Sequence, residues 1–263
     1  MSSSATRRLG KLPARHDARI STLDSKRDLL PEPPLFSNWY ADISEVPMLG
    51  NDYWGDCVPC TVCHWHEQAW AYTHPNEFRR YATTAEALAI YSDVTGFDPK
   101  AGPPDSNPTD KGTYVLGPGG MIEHWVRNGV TVFGETHKLT SAASVNIKDL
   151  TQIRQAIWLY GSLMVGASLT QSDINSDFLW RRQTSSHIGG HEFLVVGYEQ
   201  IAGEIYFDVV TWDGKRRMHQ DWWMSAVDEA LVVFNDLFFD ARGLDAAGIS
   251  KETLAASLQG FAP

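Results

Sequence analysis

Asn51-Asp-Tyr-Trp54-Gly-Asp-Cys57-Val-Pro-Cys60-Thr-Val-Cys63-His64-Trp-His-Glu-Gln-Ala-Trp-Ala-Tyr72 passes from a turn into a helix. The residues before it, Pro47 to Gly55, are turn-like. Pro59 marks the helix start, because the first helical turn has no intrahelical use for its missing N–H. The chain's three cysteines all lie here, within seven residues. An odd number so closely packed is not a disulfide framework and points to chemistry or metal binding in a reducing compartment.

Several readings of the cluster are open. Cys60-Thr-Val-Cys63-His64 fits the C-x-x-C-H haem-attachment pattern, but no export signal accompanies it. Cys57-Val-Pro-Cys60, with Trp54 three residues earlier, has the form of a thioredoxin redox motif, yet no buried strand feeds into it. A zinc site from Cys60, Cys63 and His64 or His66 lacks a second ligand pair. In the remaining reading Cys57 is a nucleophile in the first helical turn, where free N–H groups and the positive dipole end favour a thiolate and can hold an oxyanion. Its partner would be His191, which follows Gly189-Gly190 and opens the strand Glu192-Phe-Leu-Val-Val-Gly-Tyr198. The two glycines permit close approach of another segment, and the strand fixes the ring.

Outward from this stretch, 263 residues with 43% hydrophobic and 21% charged side chains describe a soluble globular chain of one large domain or two small ones. Ten Trp supply bulk for a core and exclude wholesale disorder. The net charge of −10 disfavours nucleic acid as a partner. No apolar run approaches a membrane span, Phe193–Val196 and Ala230–Phe234 being the longest, so no membrane is expected. Residues 1–27 hold seven Lys/Arg against Asp17 and Asp24, which leaves −15 for the rest. This basic arm is expected either as a solvated terminus or as a dock for a protein partner or for the chain's own surface.

Four segments follow. Residues 1–50 form an extended, Pro-rich arm. Residues 51–145 form a helical lobe, in which Thr83-Thr-Ala-Glu86 is a capping box for a helix to about Val94. Residues 96–120 read as a long surface loop, and Met121–Asn128 as a short helix closed by Gly129. Residues 146–240 form a β lobe: a helix over Ile147–Tyr160, then strands over Ser162–Leu169, His191–Tyr198, Ile205–Trp212 and Ala230–Phe234. Residues 241–263 carry a tail helix over Ser250–Gly260. A helical half before a β half is an α+β arrangement.

In this order the pieces resemble the papain-like cysteine peptidase superfamily. Leu30-Pro…Trp39 and Pro47-Met-Leu-Gly-Asn51…Gly55-Asp-Cys57 are similar to its entry segment, where an oxyanion-hole Gln stands six residues before the catalytic Cys. Thr84–Val94 and Gly117–Gly129 resemble helices of its helical lobe, and Ile147–Leu169 its crossover into the β lobe. Gly189-Gly-His191 to Tyr198 resembles the catalytic-His strand, and Thr211-Trp212 the Asn-Ser-Trp-Gly segment. The Asn-Asp…Gly-Asp-Cys…Gly-Gly-His variant is similar to papain-fold proteins of bacteria and bacteriophages.

The resemblance implies two lobes, helical then antiparallel and β-barrel-like, with a cleft between them and no cofactor or metal. It implies a thiol hydrolase acting on a peptide or protein substrate. His191 would deprotonate Cys57 to a thiolate–imidazolium pair, and Asn51 would join the Cys57 N–H at the oxyanion. Trp54, Trp212, Gly189 and Gly190 would line the binding cleft. Alignment puts Val210 where the family's orienting Asn stands, and a Val cannot accept an imidazole N–H. Asp208, Thr211 or Asp213 would substitute, and Asp208 is put forward. Only 56 residues precede Cys57, so neither a signal peptide nor an inhibitory pro-domain is expected, and the location is cytoplasmic or a phage particle. The alternative is a papain-fold structural or assembly protein, for example of a phage virion, with Trp222-Trp223 suited to an interface. Cys60 and Cys63 are expected as packed helix residues, and Lys215-Arg216-Arg217 as a solvated turn.

Overall fold

The computed structural model describes residues 7–23, 31–41, 43–182, 185–240, 242–244, 248 and 250–253. Most of the expected tail helix lies outside the described residues.

The helix predicted at Cys57 is α1 (Cys57–Thr73), and nearly its whole surface is buried over the first thirteen residues. A helix covered on all sides is a central rod, and its polar residues must then find partners inside. Glu67 accepts from Tyr40 Oη (3.1 Å) and the Ala82 N–H (2.9 Å), with His64 Nδ1 at 2.9 Å. Gln68 donates to the Gly161 carbonyl at 2.7 Å. Cys60 and Cys63 are buried and unbridged, as packed helix residues are expected to be.

Helix α2 (Thr84–Thr95) opens with the capping box read from Thr83 and Glu86 and ends at Gly96 in the left-handed region. Helix α3 (Met121–Arg127) ends where the Gly129 N–H returns to the Trp125 carbonyl. Helix α4 (Leu150–Tyr160) is capped by Asp149, which accepts from the N–H groups of Thr151 and Gln152. Short helices α5 (Gln171–Asn175) and α6 (Gln220–Ala226) lie within the second half of the chain.

The strands are β1 (Ser21–Thr22), β2 (Phe36–Asn38), β3 (Val130–Val132), β4 (Glu135–His137), β5 (Ser141–Ser144), β6 (Leu163–Thr170), β7 (Leu179–Trp180), β8 (His187–Ile201), β9 (Glu204–Thr211), β10 (Gly214–His219) and β11 (Val227–Phe234). β3 and β4 form their own hairpin; the others make one sheet in the order β1-β5-β11-β6-β8-β9-β10-β7, with β2 added on β8. The central pairs are antiparallel, and the two edge pairs, β1–β5 and β7–β10, are parallel. The mixed α+β architecture is the expected one. A barrel-like closure is not among the pairings of the described residues, since β1 and β7 end the path at opposite edges.

Two local expectations are corrected. Lys215, Arg216 and Arg217 belong to strand β10, and Arg216 is buried against the Thr211 carbonyl and Asp213. Trp222 and Trp223 are core residues rather than an exposed pair. Trp222 stacks on Trp180 and donates to Asp173 Oδ1 (2.8 Å), and Trp223 donates to the Ile147 carbonyl. Their indole N–H groups find buried acceptors, which is what allows complete burial.

Candidate active site

Helix α1 packs against β8, which brings the start of the rod to the strand that carries His191. Cys57 and His191 are each about 1% exposed. The backbone N–H groups of Glu192, the residue after His191, and of Gly10 favour the Cys57 thiolate. Burial nevertheless pushes the thiol up to about 12, and the carboxyl groups of Glu192 and Asp56 add to the rise. Burial pulls His191 down to about 3, helped by the guanidinium groups of Arg216 and Arg7. Both shifts favour the neutral thiol and the neutral imidazole over the charged forms.

His191 is held on two sides. Its Nε2 lies 2.6 Å from Thr211 Oγ1, and its ring stacks on Trp212 at 4.2 Å with 17° between planes. Its Nδ1 is buried with no hydrogen-bond partner among the described residues. Trp212 pays for this position with a φ of 48°, unusual for a bulky side chain, in the two-residue connection between β9 and β10.

Asp208 is not the orienting group. It sits opposite Gly197, six residues along β8 from His191, where it accepts from Asn38 (3.1 Å) and faces Arg217 (3.5 Å). The register that pairs Leu194 with Val210 carries Thr211 to the level of Phe193, on the same side of the sheet as His191. Asp213 instead faces Arg216 and Arg7.

Asn51 is also differently engaged. Its amide donates to the Trp54 carbonyl (3.0 Å) and to Asp56 Oδ1 (3.2 Å), so both amide hydrogens fasten the turn into α1 instead of pointing at an oxyanion. Trp54 packs edge-on against Phe97. Asp110, which sequence reading passed over, accepts from the Gly55 N–H and from Tyr91 Oη, while Tyr91 Oη accepts from the Gly112 N–H. This chain of bonds ties the turn before Cys57 to the loop that reaches Gly112.

The groove between these parts is filled by the chain's own basic arm. Arg8 N–H donates to the Asn51 carbonyl, Thr113 N–H to the Gly10 carbonyl, Leu12 N–H to the Thr113 carbonyl, and Lys11 N–H to the Gly190 carbonyl. The arm thus pairs parallel to Thr113 on one wall and antiparallel to Gly190 on the other. Glycines make the fit possible. A Cβ on Gly10 would stand 1.8 Å from the Gly55 carbonyl oxygen, and one on Gly190 would stand 2.4 Å from the Lys11 oxygen. One on Gly189 would meet Leu9 at 2.8 Å. Trp212 Nε1 donates to the Arg8 carbonyl, and Arg7 bonds Asp177 and the Ile174 carbonyl. Over residues 7–12 the arm is therefore packed against the chain's own surface, while residues 13–16 are exposed. Three of the proposed binding residues, Gly189, Gly190 and Trp212, line its path.

Among the described residues, no cluster of three or more His, Cys, Asp or Glu is arranged to hold a metal ion. Cys60 Sγ instead lies 3.9 Å from the Leu49 carbonyl.

No protein-family model matches this chain, and no curated protein matches it by sequence. Solved structures do. Xylellain, a cysteine protease from Xylella fastidiosa, superposes with a TM-score of 0.65 at 14% identity, over 89% of this chain and 98% of that one. Digestive procathepsin L 3 of the Tenebrio molitor larval midgut gives 0.58 at 16% identity, over 89% and 77%. Procathepsin B S9 from Trypanosoma congolense gives 0.54 at 12% identity, over 89% of each chain. With a central helix that begins at a cysteine and packs against a large, mostly antiparallel sheet, this chain has the papain-like cysteine protease fold.

Proposed function

We propose that this chain is a papain-type thiol hydrolase of peptide or amide bonds, in a latent state with its N-terminal arm across the groove. The observation that carries the reading is the way His191 is held. Thr211 and Trp212 fix the ring, and a buried Nδ1 is left without a partner beside the helix start that bears Cys57. A buried nitrogen without a partner costs stability, and a group kept at such cost is commonly one used in chemistry.

Withdrawal of the arm admits water, removes the Arg7 guanidinium and relieves the burial that holds both groups neutral. His191 Nδ1 then takes the Cys57 proton, and the sulfur attacks the substrate carbonyl carbon. The carbonyl π electrons move to oxygen, where the Cys57 backbone N–H at the head of α1 receives the charge; an oxyanion donor of this kind is worth about 2.7–4 kcal/mol. His191 returns the proton to the leaving amine. Water, deprotonated by the same imidazole, then cleaves the thioester and restores the thiol. The Nε2–Thr211 contact selects the tautomer that leaves Nδ1 free to accept.

The deciding experiment is a burst assay with an activated peptide ester on the full chain and on Gly10→Ala, a change that drives the arm from Gly55. One acyl group per chain, lost in Cys57→Ala, is expected. A Cys57→Ala chain with undiminished turnover removes the proposal.

A further inference from the structure

Lys11 belongs to an arm expected at the surface, yet its side chain is fully buried. It threads a slot through the β lobe whose wall is Gly166, where a Cβ would stand 1.9 Å from Lys11 Cε. At the end of the slot Nζ lies 2.9 Å from Glu229 Oε1, 3.0 Å from Asp228 Oδ1 and 3.2 Å from the Leu12 carbonyl oxygen. Glu192, 1% exposed, adds a third carboxyl group to the same electrostatic cluster. Neither of its side-chain oxygens has a hydrogen-bond partner among the described residues.

Three carboxyl groups around one ammonium exceed what a single structural ion pair requires. Burial alone would pull Lys11 down, but Glu229, Glu192 and Asp228 outweigh it and raise the ammonium above its ordinary value. The backbone on either side of the slot is engaged by both walls of the groove, through Thr113 and Gly190. Strand-like backbone bonds with one pocketed side chain are a general mode of reading an extended peptide.

We propose that this slot is a recognition pocket for a lysine-like side chain of the peptide on which the site acts, and that Lys11 fills it in place of that side chain while the arm is docked. The proposal rests on the hydrolase reading above. A leucine in the slot would leave the Glu229 and Glu192 carboxyls dry and without a cation, and a glutamate would add like charge. Both are rejected by penalty as much as lysine is chosen by attraction.

The test uses the full-length Lys11→Ala chain, whose slot lacks its stem and ammonium. Calorimetric titration with n-butylammonium is expected to show saturable binding, at least tenfold weaker in the wild type and in Lys11→Ala/Glu229→Gln. Peptide amides carrying Lys, Leu or Glu at each position in turn are expected to show a tenfold or greater preference for Lys at one position. Glu229→Gln should cut that preference at least fivefold. If Lys11→Ala fails to fold, the same peptide profile compares the wild type with Glu229→Gln. Absence of amine binding, or equal cleavage of Lys and Leu peptides, overturns the pocket and leaves the hydrolase standing. Selective amine binding without cleavage of any peptide supports the pocket's chemistry and removes the hydrolase.

Discussion

Nε2 of His191 and Oγ1 of Thr211 are 2.6 Å apart, both buried, with the Trp212 ring lying over the imidazole. A threonine hydroxyl thereby occupies the place at which the resemblance called for an amide side chain. It carries an acceptor for Nε2–H, which is what the proposed base requires. Thr211→Val keeps the shape and removes the acceptor. A hydrogen bond lost from a buried group costs about 1–3 kcal/mol, so kcat is expected to fall roughly ten- to hundredfold with KM little changed. Thr211→Ser restores the hydroxyl and is expected to stay within about threefold of the wild type. Nitrogen NMR of His191 provides the readout that separates positioning from packing: the Nε2–H form should dominate in the wild type and lose its dominance in Thr211→Val.

The helix that starts at Cys57 and the strand that carries His191 were legible in the sequence, because a proline-marked helix start and a Gly-Gly-His strand are local signals, and α2 could be read from its capping box. Thr211 was less legible. Anchoring the comparison on Trp212 put Val210 in the orienting position, whereas strand alternation, followed from Leu194–Val210, turns Thr211 toward His191. Asn51 misled because its neighbour Asp56 is a buried acceptor, a fact set by tertiary packing. The docked arm was hidden for the same reason. The glycines that admit it, Gly55, Gly112, Gly166 and Gly190, are scattered over more than a hundred residues and meet only in the folded chain.

Gly10 lies so close to Gly55 that any side chain at this position forces the backbones apart. Gly10→Ala is expected to loosen the arm and leave the core intact. Iodoacetamide labelling of Cys57, followed by mass spectrometry at pH 7, should be slow in the wild type, because the thiol sits near 12 under the arm. It should quicken at least tenfold in Gly10→Ala. Equal rates in the two chains would show that the arm does not control the thiol.

Asp173 joins two parts of the β lobe. Its Oδ2 closes the capping box with Thr170 (2.8 Å to the Thr170 N–H), and its Oδ1 accepts the Trp222 indole at 2.8 Å. Asp173→Ala strips the cap and leaves the buried Trp222 N–H unpaired. At about 1 kcal/mol for a cap and about 1–3 kcal/mol for the indole, the loss is expected to reach about 2–4 kcal/mol in urea unfolding. Asp173→Asn keeps an acceptor for the indole and should recover about half of it.

His66 and His191 are both pulled down to about 3, His66 by burial, with His137 acting the same way against the bond to the Val62 carbonyl. The unfolded chain binds these protons near 6.5 and the folded chain does not, so each histidine removes stability as the pH falls below about 6.5. Between pH 7 and pH 4 this amounts to about 3 kcal/mol per residue. Buried carboxyls such as Glu192 and Asp56, raised by burial, act in the opposite sense, so the net stability of the wild type conceals the effect. A comparison of chains exposes it. The unfolding free energy of His66→Gln relative to the wild type should improve steadily from pH 7 to pH 4, and that of His191→Gln should do the same. Parallel stability curves for wild type and variant would mean that these imidazoles charge freely in the fold, and that the groove is wetter than the docked arm implies.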